Sequence, residues 1–126
     1  MKLLSLIIPA YNEEDNVEHC YEVLSELMNK NSIRHEFVFI DDGSADSTWN
    51  IIQRMAEEKD NVTALKFSKN FGKESAIYAG LKNCTGDCCI VMDCDLQHPP
   101  ETAVEMYRIW ETGEYQVVEG RKESRG

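Results

Sequence analysis

The feature that most constrains the fold of this chain is a regular alternation between short apolar runs and apolar residues at helical spacing. The runs are Leu3–Ile8, which Pro9 should end, Glu36–Ile40, Val62–Phe67, Cys88–Met92 and residues 115–120. The first helical stripe contains Val17, Tyr21, Leu24 and Met28, and three similar stripes follow. Continuous apolar strands alternating with amphipathic helices indicate an α/β fold, a Rossmann-like parallel sheet with helices on both faces.

Local signals support these elements. Asp46 or Ser47 can cap the second helix, the third is predicted over Lys73–Lys82, and Pro99 and Pro100 suit the first turn of the fourth. A chain of 126 residues is long enough for one core and too short for two. The sequence therefore predicts a single domain over residues 1–126.

Four polar clusters follow the first four predicted strands. They read PAYNEE, DDGSADST, FSKNFGK and DCDLQHPP in chain order. In a parallel sheet all four emerge at the same, carboxyl edge. Ligands of open α/β sheets bind at that edge, near the point where the strand order reverses. This coincidence predicts a binding site more strongly than any single motif does.

Carboxylates dominate that edge. Asp41, Asp42, Asp93 and Asp95 would raise one another's pKa unless a cation or a ligand's donors lay among them. Hard oxygen ligands suit Mg²⁺ or Mn²⁺, which usually bind one or two carboxylates plus substrate phosphates, and Gln97 can add an amide oxygen. The bland alternative is that Asp41 and its neighbours form a simple turn, because Asp, Gly and Ser favour turns.

Three lysines, Lys66, Lys69 and Lys73, form a local basic patch in the sequence, suited to a diphosphate. A solvated face is the alternative for these lysines. His98 is interpreted as a loop residue rather than a ligand or base.

Charge and hydropathy exclude several classes of partner. Acidic residues outnumber basic ones, 23 against 13, and the formal net charge of −10 argues against nucleic-acid binding and against simple adhesion to anionic lipid. No apolar run approaches the roughly 20 residues of a membrane span. The N-terminal run is read as a strand rather than a signal peptide.

The five cysteines are odd in number, and Cys84, Cys88, Cys89 and Cys94 are crowded together. Reduced thiols in a cytoplasmic protein fit this pattern better than a disulfide framework. A zinc site from the crowded four is a weak alternative, because strand alternation should send Cys88 and Cys89 to opposite faces.

With these motifs in view, the chain resembles the family 2 glycosyltransferases of the GT-A fold. LSLIIPAYNEE is similar to the family's opening strand and nucleotide loop, FIDDGSADST to its second-strand acidic motif, and DCDLQHPPE to its D-x-D metal motif. NFGKESAIYAGL and the LQHPP extension are most similar to enzymes that glycosylate polyprenyl phosphates. The resemblance covers essentially the whole chain.

The resemblance implies a role for each matching residue. Asp42 would meet the nucleotide base with Asp41 beside it, Asp93 would approach the ribose or the metal's water shell, and Asp93 and Asp95 would form the catalytic pair. Asp95 and Gln97 would hold a divalent Mg²⁺ or Mn²⁺ on the diphosphate. The nucleotide-sugar set is Pro9, Ala10, Tyr11, Glu13, Asp41, Asp42, Lys73 and Asp93.

The resemblance also implies a reaction and its partners. The donor would be a UDP- or GDP-sugar, and the acceptor a lipid phosphate or another glycan, with direct displacement and inversion. Complete family members continue beyond a point such as EGRKESRG, so we expect this chain to be a fragment that holds the nucleotide-binding half. The parent protein would act at the cytoplasmic face of a membrane, and the uncovered sheet edge would favour self-association.

Alternatives from other classes stay open at this point. A phospho-accepting receiver domain also clusters acids at the carboxyl edge, but after different strands. A haloacid-dehalogenase-type phosphatase also uses D-x-D, usually after the first strand. A dinucleotide-binding dehydrogenase is poorly supported, because no G-x-G-x-x-G follows the first strand. The fourth alternative is a non-catalytic nucleotide-binding module.

Overall fold

The computed structural model describes residues 2–113, which form four strands and four helices in strict alternation. The strands are β1 (Leu4–Ala10), β2 (His35–Asp41), β3 (Val62–Lys66) and β4 (Cys88–Val91). The helices are α1 (Val17–Lys30), α2 (Thr48–Glu58), α3 (Lys73–Asn83) and α4 (Glu101–Glu111). The predicted fifth strand at residues 115–120 lies outside the described residues.

The four strands form one parallel sheet in the order β3-β2-β1-β4. Leu4 pairs with His35 on one side and with Cys88 on the other. The chain first steps from β1 to β2 to β3 and then crosses back to β4, so the strand order reverses between β1 and β4. The carboxyl ends of these two central strands are therefore where a ligand site is expected.

Helices cover both faces of the sheet, as the apolar pattern predicts. On one face, α1, α2 and α4 contribute buried residues such as Leu24, Ile52 and Met106 to a core with Phe37 and Phe39, whose rings stack at 5.7 Å. On the other face, among the described residues, α3 packs Ala76 against Ile7, Val38 and Ile40. Burying such side chains contributes about 25 cal/mol per Å² of apolar surface, which is the main driving force for this arrangement.

The predicted end of the first strand at Pro9 is wrong, because β1 continues through Pro9 to Ala10. A proline inside a sheet is tolerated where its missing N–H would have no acceptor on a neighbouring strand. The pairing of β1 with β4 ends at Ile7 and Val91, whereas the pairing with β2 runs on to Ala10 and Asp41. Pro9 therefore lies where β4 has already left the sheet, and it interrupts no ladder.

Asp46 caps α2. Its Oδ1 accepts hydrogen bonds from the backbone N–H of Thr48 at 2.9 Å and from the Thr48 hydroxyl at 2.5 Å, and its Oδ2 accepts from the Glu14 N–H at 3.3 Å. The side chain of Ser47, the other predicted cap, makes no cap hydrogen bond. Slight burial raises the pKa of the Asp46 carboxyl, but the bonds from Thr48 and Glu14 outweigh it and hold the pKa below its usual value.

Replacing Asp46 with alanine should destabilise the chain by about 1 kcal/mol at pH 7. Because the folded pKa is depressed, this contribution is complete above the unfolded pKa of about 3.9 and is lost as the pH falls through the folded value. Urea unfolding of both proteins between pH 7 and pH 2 should show the difference shrinking below about pH 4. Ser47→Ala is the matched control, and a difference independent of pH would contradict the charged cap.

Among residues 2–113, none of the helices combines the length and the apolar character that crossing a lipid bilayer requires.

Candidate functional site

A cavity of about 140 Å³ opens at the carboxyl edge between β1 and β4. It contains all but two of the residues that the sequence predicts for the site. Its lining is Pro9, Ala10, Tyr11, Glu13, Asp42, Lys73, Asp93, Cys94 and Asp95. The two others, Asp41 and Gln97, are close in sequence to the lining residues Asp42 and Asp95 but are not part of the cavity wall. The topology thus brings together residues as distant in sequence as Pro9 and Asp95, which are 86 positions apart, as the reversal of strand order predicts.

Asp93 is already neutralised by protein groups. Its Oδ1 accepts a 2.8 Å hydrogen bond from the Lys73 ammonium, and its Oδ2 lies 3.3 Å from Nδ1 of His98. Partial burial raises the pKa of Asp93, but the Lys73 ammonium and then His98 more than offset this and hold the pKa below its usual value. The sequence predicts His98 to be a loop residue without a role in the site, but its contact with Asp93 brings it to the site.

Asp95 is different, because its carboxylate is exposed and forms no ion pair in the described part of the chain. Its Oδ1 accepts a 3.3 Å bond from the Gln97 backbone N–H. Leu96 between them has a φ of +56°, in the left-handed region that is typical of a tight turn. The Gln97 side chain is exposed. Of the D-x-D pair, Asp95 is therefore the carboxylate whose oxygens remain available to a cation.

Asp42 is buried and holds the loop between β3 and α3. Its Oδ1 accepts from the Phe71 N–H at 2.8 Å, and its Oδ2 accepts from the Gly72 N–H at 3.1 Å and from the Asn70 side-chain amide at 3.4 Å. These bonds place Lys73, the next residue, at the cavity. The carboxylate thus has a structural function that the acidic motif alone does not reveal.

Asp41 is buried as deeply, with only 1% of its surface exposed. Its Oδ1 accepts from the Ser44 N–H at 3.2 Å, and its Oδ2 has no hydrogen-bond partner in the part of the chain that the structure describes. The turn that was the bland alternative is therefore present at residues 41–44, together with one buried carboxylate oxygen that remains an unused acceptor.

The loops after β1 and β2 interlock through reciprocal hydrogen bonds. The Asn12 N–H donates to Ser44 Oγ at 2.8 Å while Asn12 Oδ1 accepts from the Ala45 N–H at 2.8 Å. The Glu13 N–H donates to Thr48 Oγ1 at 2.8 Å, and Glu14 Oε1 accepts from the Ser47 N–H at 3.0 Å. The sequence does not single out Asn12, Ser44 and Thr48. The only feature in the sequence that could have indicated their role is that they lie in two loops at the same edge of the sheet.

Gly43 lies where the loops after β2 and β3 touch. Its φ is +75°, and a Cβ at this position would overlap the backbone of Lys69 and Asn70. Glycine is therefore required here both by backbone conformation and by the close approach of a second chain segment.

The predicted lysine patch divides in the structure. Lys73 lines the cavity, whereas Lys66 lies over the Trp49 ring at 5.5 Å and Lys69 over the Phe71 ring at 5.3 Å. Only Lys73 of the three is placed to act in the site, so the sequence patch overstated the positive charge there.

Cys94, between the two aspartates, is a lining residue that the motif did not single out. It is buried. A hydrogen bond with Cys20 and, to a smaller extent, burial raise the pKa of its thiol far above the usual value, so it stays protonated.

The four crowded cysteines do not assemble as zinc ligands, because Cys88 and Cys89 face opposite cores, as strand alternation predicts. No group of three or more His, Cys, Asp or Glu suited to a metal occurs within residues 2–113.

Comparisons with known proteins agree with this geometry. The model of the family described as glycosyl transferase family 2 matches residues 5–125. A prophage bactoprenol glucosyl transferase homolog from Escherichia coli is 39% identical over 120 residues, which is 95% of this chain and 39% of that protein. The chain thus spans about two fifths of this curated relative.

Two solved structures share the fold. A mannosyltransferase from Pyrobaculum calidifontis, in complex with GDP-Man and Mn²⁺, is 25% identical with a TM-score of 0.68, covering 83% of this chain and 31% of that one. Glucosyl-3-phosphoglycerate synthase from Mycobacterium tuberculosis, in complex with UDP, is also 25% identical with a TM-score of 0.68, covering 90% and 41%. The sheet topology, the acidic edge and the family match lead to one conclusion: this chain belongs to the family 2 glycosyltransferases.

Proposed function

We propose that this chain is the donor-binding part of a glycosyltransferase that uses a nucleotide-diphospho-sugar and a divalent metal. The proposal rests on one observation, the different environments of the two aspartates in the D-x-D pair. Lys73 and His98 pair with Asp93, while Asp95 lies exposed at the same cavity and has no cation partner within residues 2–113. A site with one neutralised and one available carboxylate suits a metal–diphosphate ligand, which brings its own charges.

The proposed donor is a UDP- or GDP-sugar. The mannosyltransferase with the same fold is described with GDP-Man and the synthase with UDP, so both bases are candidates. The nucleotide would lie along Pro9, Ala10, Tyr11 and Glu13, where the half-exposed Tyr11 ring offers a surface for stacking. Asp42 lines the same cavity and would meet the base, and Asp41 lies beside it in the chain.

The residues present fit a divalent cation. Asp95 supplies a hard carboxylate oxygen and Gln97 an amide oxygen two residues on, and Mg²⁺ or Mn²⁺ completes its shell with phosphate oxygens and water. When bound, such a metal neutralises charge on the departing diphosphate as its bond to the anomeric carbon breaks. Lys73 would add positive charge beside the same phosphates, and its pairing with Asp93 fixes its position.

The proposed acceptor is a polyprenyl phosphate, with another glycan as the second candidate. The Escherichia coli relative is named as a bactoprenol glucosyl transferase homolog, which supports a lipid phosphate. A phosphate oxygen is already ionised near neutral pH, so it could displace the diphosphate with inversion without a strong general base. An enzyme with this acceptor would work at the cytoplasmic face of a membrane, and we propose this location for the full-length protein.

Because the chain belongs to the family 2 glycosyltransferases, the receiver-domain and phosphatase alternatives are set aside. A non-catalytic nucleotide-binding module remains the second candidate for the chain by itself, because the chain spans 39% of its relative. Self-association through an uncovered sheet edge stays a prediction, to be checked by measuring the mass in solution.

The test is a calorimetric titration of the chain with UDP and with GDP, each with Mn²⁺ and with a chelator. We expect one nucleotide to bind in Mn²⁺ and to bind at least about tenfold more weakly in chelator, because the metal bridges carboxylate and diphosphate. Absence of binding by both nucleotides, from a sample with a cooperative unfolding transition, would overturn the proposal. Sugar transfer to a polyprenyl phosphate would separate the catalytic from the non-catalytic alternative.

A further inference from the structure

The sulfur atoms of Cys84 and Cys89 are in direct contact, with an Sγ–Sγ distance of 2.7 Å. Cys84 is the C-cap residue that directly follows α3, and Cys89 lies in β4. All five cysteines are free thiols in the structure. The pair lies at the amino edge of the sheet, the edge opposite to the nucleotide cavity, and the proposed function assigns it no role.

The turn between the two cysteines is held by a network that keeps the sulfurs together. The carboxylate of Glu36 accepts from the Thr85 N–H at 2.8 Å and from the Thr85 hydroxyl at 3.1 Å. The Ser5 hydroxyl donates to the same carboxylate at 2.5 Å and accepts from the Gly86 N–H at 2.9 Å.

Backbone bonds anchor the same turn to the start of β1. The Asp87 N–H donates to the Leu3 carbonyl at 2.7 Å, and the Leu3 N–H donates to Asp87 Oδ2 at 2.8 Å. With both ends of the turn fixed, little conformational entropy remains to be lost when the two sulfurs join.

Access distinguishes this pair from the other thiols. Cys84 and Cys89 are both partly exposed, whereas Cys20, Cys88 and Cys94 are buried with at most 8% of their surface exposed. Cys20 and Cys94 also form a hydrogen-bonded pair, but inside the core beside the cavity. A reagent in solution therefore reaches the Cys84–Cys89 pair first, because thiol exchange depends on access.

We propose that Cys84 and Cys89 form a redox-active dithiol, a modification site that a low-molecular-weight disulfide oxidises to an intramolecular disulfide bond. This inference goes beyond the proposed function and does not depend on it, since it involves neither nucleotide nor sugar.

The reaction is two successive exchanges. The Cys84 thiolate attacks one sulfur of oxidised glutathione, forms a mixed disulfide and releases one glutathione thiolate. Cys89 then loses its proton and attacks Sγ of Cys84, forms the Cys84–Cys89 bond and expels the second glutathione thiolate. The two cysteines lose two protons and two electrons, and one oxidised glutathione becomes two reduced molecules. Burial and the contact with Cys84 raise the pKa of Cys89 to about 12, which leaves the first attack to Cys84.

The modification would fasten α3 to the sheet at both ends. The helix is already tied at its beginning, where Lys73 pairs with Asp93 at the cavity edge. A bond between Cys84 and Cys89 would fix its other end to β4, which leads into the D-x-D segment. Oxidation should therefore raise the unfolding temperature of the chain, by several degrees for a disulfide of ordinary strength.

The experiment equilibrates the folded, reduced chain in glutathione buffers of graded ratio, alkylates the remaining thiols and digests the product with a protease that cleaves before aspartate. Cleavage before Asp60, Asp87 and Asp93 separates residues 60–86, which hold Cys84, from residues 87–92, which hold Cys89. We expect these two peptides to be linked by a disulfide, and Cys20 and Cys94 to be alkylated.

Variants define which sulfurs react. Cys88→Ser should still give the linked peptides, whereas Cys84→Ser and Cys89→Ser should not, and circular dichroism checks that each variant is folded. Fragmentation of the wild-type linked peptide assigns the sulfur even if Cys88→Ser does not fold. The equilibrium constant for oxidation should be at least about tenfold larger in the folded chain than in urea, because the fold holds the sulfurs together. Linkage through Cys88, equal constants in both states, or no linkage at all would overturn the proposal.

Discussion

Replacing Asp95 with alanine will weaken the Mn²⁺-dependent binding of the preferred nucleotide by about 10²-fold or more and will leave the fold intact. Interactions with charged groups contribute about 1.5–3 kcal/mol each, and every 1.4 kcal/mol is about tenfold in affinity. The proposed metal would lose its carboxylate ligand, and the diphosphate would lose the metal. Asp95 is exposed, so its replacement should change the free energy of unfolding by less than about 0.5 kcal/mol.

Asp60→Ala is the matched control, because Asp60 is an exposed aspartate just before β3, at the opposite edge of the sheet. Its nucleotide affinity and its stability should both equal those of the parent chain. The same calorimetric titration and urea unfolding apply to both variants. Wild-type affinity in Asp95→Ala, with Mn²⁺ still required, would show that another group holds the metal and that the D-x-D motif has been misread.

Gly43→Ala should destabilise the chain by about 3 kcal/mol or more. A positive φ costs a residue with a side chain about 1–2 kcal/mol. The added methyl group would also overlap the backbone of Lys69 and Asn70. That backbone cannot retreat freely, because the adjacent N–H groups of Phe71 and Gly72 donate to Asp42. Moving the loop would leave a buried carboxylate unpaired, which adds to the cost.

Gly113→Ala isolates the conformational part of that effect. Gly113 has a φ of +83°, but a Cβ there would meet no atom of the other described residues within 4 Å. We expect Gly113→Ala to lower the free energy of unfolding by about 1 kcal/mol in the same urea titration, because only the backbone conformation is unfavourable there. Equal losses of stability for the two variants would mean that the loop after β3 moves at little energetic cost.

The nucleotide affinity of Gly43→Ala should also fall, because the same loop positions Lys73.

The fold and the site's location are predictable from the sequence because they follow from periodicity. Apolar runs and helical stripes predicted the four described strand–helix units, and the position of the polar loops after the strands predicted the edge at which they meet. The exact end of β1 was missed because proline ends a strand only where its N–H is needed for the ladder, and the sequence does not show which neighbour lies there.

The contacts inside the site were less predictable, because they depend on where individual side chains turn. Asp41 and Asp42 are adjacent identical residues, yet one holds the loop after β3 and the other keeps an unused oxygen. Lys66 and Lys73 read as one patch, but their side chains go to different surfaces. The contact between Cys84 and Cys89 likewise requires the folded turn, since spacing alone does not bring two sulfurs together.

The extension of β1 past its neighbour β4 has a consequence for the kind of molecule the cavity accepts. The carbonyl of Ile7 accepts from the Met92 N–H on the β4 side, and that of Ala10 accepts from the Asp42 N–H on the β2 side. Since main-chain groups alternate along a strand, the Pro9 carbonyl points to the β4 side, into the space that β4 has left. Pro9 has no N–H, so at this position the main chain offers an acceptor and no donor. At this position we expect a flat ring that presents an N–H edge to fit better than one that presents a bare carbonyl.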